Sequence, residues 1–205
     1  MVEKNAANFT FRLILFVLGI FILALGVSAV IKANLGVPTW DVLHIGLNRL
    51  VNLSIGRWIQ IVGIIMVLMT AYFEKERPAI WSILNIVLVG FFVNSILGLN
   101  LIPSFTGVVQ RTVLLVLGTI LMGTGSGMYV SSKIGAGPRD GMTLFISKKF
   151  SISVRLSRTL LEIMALAVGW FIGGPVALGT FITIFFIGPV MQTSLRFWTR
   201  QLARI

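Results

Sequence analysis

Six long apolar runs alternate with short polar segments along this chain: 12–32, 55–73, 79–98, 111–131, 155–172 and 176–195. Each is close to the roughly 20 residues that a helix needs to cross a hydrocarbon core. Backbone amides find no water in lipid, so such runs fold as helices. Two shorter, moderately amphipathic segments, 42–52 and 141–150, follow the first and fourth runs and are expected to be helical too. The pattern predicts an all-α membrane protein with six transmembrane helices, a single membrane domain over 1–205 and no soluble domain.

The first and fourth runs are related. Residues 12–41 and 111–140 align without a gap, 99 positions apart, and agree at eight of thirty positions. The shared residues include Arg12/Arg111, Gly19/Gly118, Gly26/Gly125, Gly36/Gly135 and Asp41/Asp140. Apolar residues match by chance, but an Arg, three Gly and an Asp in register do not. The likeness continues into the third run of each half, where Ser82, Asn85, Gly90 and Asn94 match Thr180, Thr183, Gly188 and Gln192 at an offset of 98. The predicted halves are repeat one, 11–98, and repeat two, 110–195. Three spans per half is an odd number, so the second half enters the membrane from the opposite side. The repeats are then inverted, as in many secondary transporters. Ala24 and Ser28 correspond to Gly123 and Gly127, a small-xxx-small pair in both copies. Such pairs let helices approach closely in lipid. They are expected to join spans 1 and 4 to each other, or alternatively to join two copies as a homodimer.

Composition supports the membrane reading and narrows the chemistry. The chain is 57% hydrophobic and 11% charged, with mean hydropathy +0.99; soluble domains carry about 25% charged residues. There is no cysteine, His44 is the only histidine and six carboxylates are present. Disulfides, iron–sulfur clusters and multi-histidine metal sites are excluded, and no phosphate-loop pattern occurs. No cofactor, no metal and no catalytic residue is expected, and the chain does not read as an enzyme. The net charge of +11 fits basic residues retained on the cytoplasmic side better than it fits nucleic acid. With the N-terminus inside, thirteen of the 17 Lys and Arg fall on the inner side, Lys4, Arg12 and Arg204 among them. The bias predicts a multi-pass protein of the bacterial cytoplasmic (inner) membrane with both termini cytoplasmic. The first run resembles a secretory signal, but its partner at 111–131 makes it part of the fold.

Leu35-Gly36-Val37-Pro38-Thr39-Trp40-Asp41 ends the first copy and Ile134-Gly135-Ala136-Gly137-Pro138-Arg139-Asp140 ends the second. Gly and Pro stop each span. Pro suits the first turn of a following helix, and an acidic residue there complements the dipole. Asp41 and Asp140 are therefore helix-start structure, binding groups, or both. If these helix starts face a cavity, their N–H groups suit a small polar or anionic solute. The span count places the first motif at the outer face and the second at the inner face.

These motifs resemble a known group. Gly135-Ala136-Gly137-Pro138-Arg139-Asp140-Gly141 is similar to the GxGPRDG signature of the YitT/YczE family of bacterial integral membrane proteins. Trp40-Asp41-Val42-Leu43-His44 is similar to that family's WDVLH segment, and Arg158-xxx-Glu162 followed by Gly169-Trp170 fits its later pattern. The chain departs from it at Thr39, inserted where the family usually reads GPWD, and at Asn94, where an acidic residue often closes the third span. The resemblance implies a polytopic protein of the cytoplasmic membrane and supplies no substrate.

Span 5 carries Arg155, Arg158 and Glu162 on one helical face. A carboxylate kept inside a membrane marks a cavity or relay by default; the plainer reading is an Arg158–Glu162 pair closing the helix end. Span 2 has only Arg57 and Gln60 in the corresponding region. Asn85 and Ser82 share a face of span 3 and could bind solute or bond between helices. Asn94 points about half a turn away from Asn85, so the two cannot line one cavity. His44 is a proton-coupling candidate or an interfacial residue. The candidate binding set is thus Trp40, Asp41, His44, Asn85, Asn94, Gly137, Pro138, Arg139, Asp140, Arg158 and Glu162. The expected function is a small-solute permease or exporter. The alternatives are the substrate-binding subunit of an energy-coupling-factor-type importer, by fold-level analogy, and an accessory membrane scaffold without flux.

Overall fold

The apolar runs form helices, as lipid demands of any backbone it surrounds. A computed structural model describes residues 2–203 apart from 76, 79 and 136, with side chains from Phe9 onward. Ala136, Arg204 and the side chain of Lys4 lie outside the described residues. Eight helices occur among the described residues: α1 (Val2–Ala33), α2 (Thr39–Leu50), α3 (Ile55–Glu74), α4 (Ile80–Gly98), α5 (Val108–Ser131), α6 (Pro138–Phe150), α7 (Val154–Phe171) and α8 (Leu178–Leu202). The order long, short, long, long occurs twice. The short helices begin three residues earlier than the sequence pattern suggests, because Pro138 takes the first helical position and Pro38 sits at the N-cap of α2.

Among the described residues, five helices are long and apolar enough to cross a membrane: Phe9–Ala33, Ile55–Glu74, Ile80–Gly98, Val108–Ser131 and Leu178–Leu202. The protein is a multi-pass membrane protein. The remaining expected span, 155–172, is α7. Its 18 residues include Arg155, Arg158 and Glu162, and these charges take it out of the apolar class.

Contacts fix how the long helices run. The guanidinium of Arg12, early in α1, donates to Ser132 O at the end of α5 at 3.2 Å. Arg111, early in α5, donates to Ala33 O at 2.7 Å and to Asn34 O at the end of α1. The two helices are therefore antiparallel, and each Arg satisfies carbonyls that the other helix leaves unpaired at its C-terminus. Between these ends the backbones touch. A Cβ on Gly19 would stand 2.6 Å from Tyr129 N, and one on Gly26 would stand 2.5 Å from Met122 N. So spans 1 and 4 do cross, but through Gly19, Gly26, Gly118 and Gly125. The expected small-xxx-small pair does something else: Gly123 and Gly127 seat α8, against Val190 and Met191–Leu195. The glycines at 19 and 26 lie closer to the crossing, where only backbone fits.

Two bundles result. Phe16, Ile20, Ala24, Val27 and Val30 of α1 pack with Val89 and Val93 of α4 and with Leu115 and Met122 of α5; α8 lies along α5. The second bundle joins α2, α3, α6 and α7 around Trp40, Met66, Met142, Leu161 and Ala165. α3 lies along α4 and links the bundles, whereas α7 has no such packing along α8 among the described residues. Large apolar side chains such as Ile65, Phe91, Leu117, Ile163 and Phe185 face outward, as lipid-facing positions do.

Candidate functional site

The chain turns back on itself after α1. Asn34 (φ 50°) and Gly36 (φ 108°) adopt the left-handed conformation that reverses it. Leu35 O accepts from Gly179 N at 2.8 Å, and a Cβ on Gly36 would stand 2.7 Å from Thr180 N. Glycine is required here for both its torsion and its lack of bulk. The segment thus leads inward along the start of α8, and α2 begins beside the middle of α7, where the Thr39 hydroxyl donates to the Glu162 carboxylate. From there α2 runs parallel to α7: a Cβ on Gly169 would meet Leu43 N at 2.5 Å, and Arg49 donates to Gly173 O. The second copy behaves alike. Lys133 turns left-handed (φ 57°), Gly135 packs on Trp81 at the start of α4, and α6 begins at Pro138.

The two helix starts meet. The Arg139 guanidinium carbon lies 4.8 Å from the centre of the Trp40 ring, a cation–π distance. Asp140 lies 3.9 Å from Arg158, both partly open, with side chains 36% and 55% exposed. The span count had put Asp41 and Asp140 at opposite faces. The structure instead brings their helix starts together, because each connecting loop leads back into the bundle before its helix begins. The expected Arg158–Glu162 pair does not form either. Arg158 turns to Asp140 on α6 and Glu162 to Thr39 on α2.

Asp41 and His44 form a buried pair within one turn of α2, Oδ1 to Nδ1 at 3.4 Å, each residue 3% exposed. Trp40 is buried, and its indole N–H has no hydrogen-bond partner among the described residues. Two residues absent from the sequence-based set belong here. Thr39 stood out only as an insertion in a motif, yet it is the residue that holds Glu162. Tyr129, near the end of α5, brings its hydroxyl to the same place, since a Cβ on Gly137 would stand 3.2 Å from Tyr129 Oη and 3.5 Å from Asp140 Oδ2. Nothing marked Tyr129 in advance beyond a polar tip late in an apolar span, where its repeat counterpart is Val30.

The two asparagines divide. Asn94 accepts from Gly56 N at 2.9 Å and so fastens α4 to α3. Asn85 is buried one turn beyond Trp81, and its Nδ2 has no partner among the described residues. The assembled groups are the starts of α2 and α6, each with an acidic residue, Asp41 or Asp140, in its first turn, together with Arg139, Arg158, the Tyr129 hydroxyl and the Trp40 N–H as donors and Asp140 and Glu162 as acceptors. Arg139 has no carboxylate within ion-pair distance among the described residues. Such a set offers both donors and acceptors to a small polar group. Among the described residues no three His, Asp or Glu side chains converge as a metal site.

Residues 10–196 match a family of unknown function, DUF6198. The uncharacterized membrane protein YczE of Bacillus subtilis (strain 168) is 36% identical over 179 residues, covering 86% of this chain and 82% of its own. An uncharacterized protein of Haemophilus influenzae is 30% identical over 191 residues, 93% of this chain and 85% of its own. The uncharacterized protein YyaS of Bacillus subtilis is 27% identical over 174 residues, 82% and 84% of the two chains. No solved structure matches the chain.

Proposed function

The chain belongs to the DUF6198 family of YczE-like membrane proteins, and we propose that it is a small-solute permease or exporter working by alternating access. One observation carries the reading: the starts of α2 and α6, one from each half of the chain, meet with Arg139 over Trp40, Arg158 beside Asp140 and Thr39 on Glu162. In transporters built from inverted repeats, solute sites lie where the repeats meet, and helices that begin inside the membrane point their positive ends at anionic groups. The antiparallel run of α1 against α5 supports inverted repeats. α7 then counts as the sixth span, with Glu162 turned toward α2 and Arg158 toward α6, as intramembrane charges require. The thirteen inner-side Lys and Arg orient the protein in the cytoplasmic membrane with both termini inside. The solute is a small polar molecule with a carboxylate or phosphate. Its anion lies on Arg139 and the two helix starts, and Glu162 and Asp140 orient its remaining polar groups. No bond is made or broken in the protein's work.

The test is a thermal-shift screen of the purified protein with a panel of small carboxylates, phosphates and amino acids. A ligand that binds only the folded protein raises its apparent stability. A compound that stabilises the wild type but neither Arg139→Gln nor Glu162→Gln is then followed, radiolabelled, into proteoliposomes. Uptake that both variants abolish is the expected result. Tight binding with no uptake would refute the permease.

A further inference from the structure

The two halves differ in how their second and third long helices pack. α3 is seated on α4 backbone to backbone: a Cβ on Gly90 would stand 2.4 Å from Gly56 O, and one on Gly63 would stand 2.8 Å from the Ile86 side chain. Gly56 N donates to Asn94, and Gln60 Nε2 donates to Val87 O at 3.0 Å. The matching seat between α7 and α8 is vacant. Gly188, the counterpart of Gly90, faces open space, with nothing within 4 Å of where its Cβ would be. Ile184 is 43% exposed, while its counterpart Ile86 is 2% exposed. The helix starts share this asymmetry, for Asp41 is buried and Asp140 is partly exposed.

The register of α7 explains why it stands off. Gly169 meets Val42 and Leu43 as Thr70 meets Gly141, the same pair 99 positions on. Gly56, Gln60 and Gly63 therefore correspond to Arg155, Thr159 and Glu162. Two glycines that let α3 press its backbone onto α4 are replaced by long charged side chains. Small residues permit close helix approach in lipid and large ones oppose it, so the α7–α8 contact is the weaker of the two.

We propose that the cleft between α7 and α8 is the mouth through which solute reaches the meeting point of α2 and α6, and that α7 closes it by docking at Gly188 while α3 releases Gly90. The proposal rests on the alternating-access reading above and names its two gates. Because α2, α3, α6 and α7 pack around one apolar cluster, they move as one body against the other bundle. Opening one seat and closing the other are then a single rocking motion. By the charge bias, the mouth seen open faces the cytoplasm.

The absence of cysteine makes the test direct. One pair, Gln60→Cys with Val87→Cys, reports the α3–α4 seat. A second, Thr159→Cys with Phe185→Cys, reports the α7–α8 seat, and Arg155→Cys with Gln192→Cys repeats it in case the first set misfolds. Full-length variants in membrane vesicles are oxidised with copper phenanthroline, and the links are read by mass spectrometry. Each pair alone should link, and a protein carrying both pairs should link at either seat but never at both in one molecule. Failure of either seat to link, or abundant doubly linked molecules, would overturn the proposal. The readout needs no solute. Seats that alternate in a protein without flux would therefore leave the gates standing and remove the permease.

Discussion

Alanine at Gly125 and alanine at Gly188 are the same chemical change on two helices, and the structure gives them opposite outcomes. At Gly125 a new Cβ would stand 2.4 Å from Leu23 N and 2.5 Å from Gly19 O. Both are backbone atoms on α1 and cannot swing aside. Ordinary carbon contacts lie near 3.5 Å or beyond, so α1 and α5 must part by about 1 Å over that turn. Overpacking of this kind typically costs about 1–3 kcal/mol. For a chain of this size each kcal/mol moves Tm by about 2–4 °C, so Gly125→Ala should lower Tm by about 5 °C. At Gly188 the Cβ meets nothing within 4 Å. There alanine only gains helix propensity, worth up to about 1 kcal/mol, and Tm should hold or rise slightly. The assay is intrinsic tryptophan fluorescence during heating of detergent-purified protein. A Gly125→Ala protein as stable as wild type, or a Gly188→Ala protein equally damaged, would refute the described α1–α5 crossing and the open seat.

Further expectations follow from single contacts. Arg111→Ala should destabilise, since Arg111 serves two carbonyls at the end of α1; the loss is about 2 kcal/mol, read by the same thermal assay. Asn85→Leu should be neutral or stabilising, because an amide whose Nδ2 is buried with no partner among the described residues is replaced by an apolar group of similar size. If Asn85 touches solute, the same variant loses uptake while its Tm holds. Asp140→Asn should change Tm by less than about 2 °C, since a half-exposed ion pair at 3.9 Å contributes little. A large drop would show that Asp140 is structural.

The helices were legible because apolar runs of that length have one stable form in lipid. The repeat was legible because Arg12, Gly19 and Gly26 recur as Arg111, Gly118 and Gly125, and each pair performs the same task in both copies. What the pattern could not reveal was where α2 and α6 begin in space. Span counting treats every connection as lying at a membrane face, and nothing in Leu35–Pro38 says that it leads inward beside Thr180. Asp41 and Asp140 were accordingly placed apart, although their helices start together. The site was legible in its charged members, since a Glu in an apolar helix is conspicuous. Thr39 and Tyr129 were missed because hydroxyls in such helices more often bond their own backbone, as Thr70, Thr112 and Thr119 do here.

Arg12 and Arg111 also bear on assembly. Each closes the first helix of the half to which it does not belong. A single half in isolation would leave its own first helix uncapped at its C-terminus and its glycine face bare. Neither half is then a folding unit by itself: α1 is complete only once α5 has been made and laid against it.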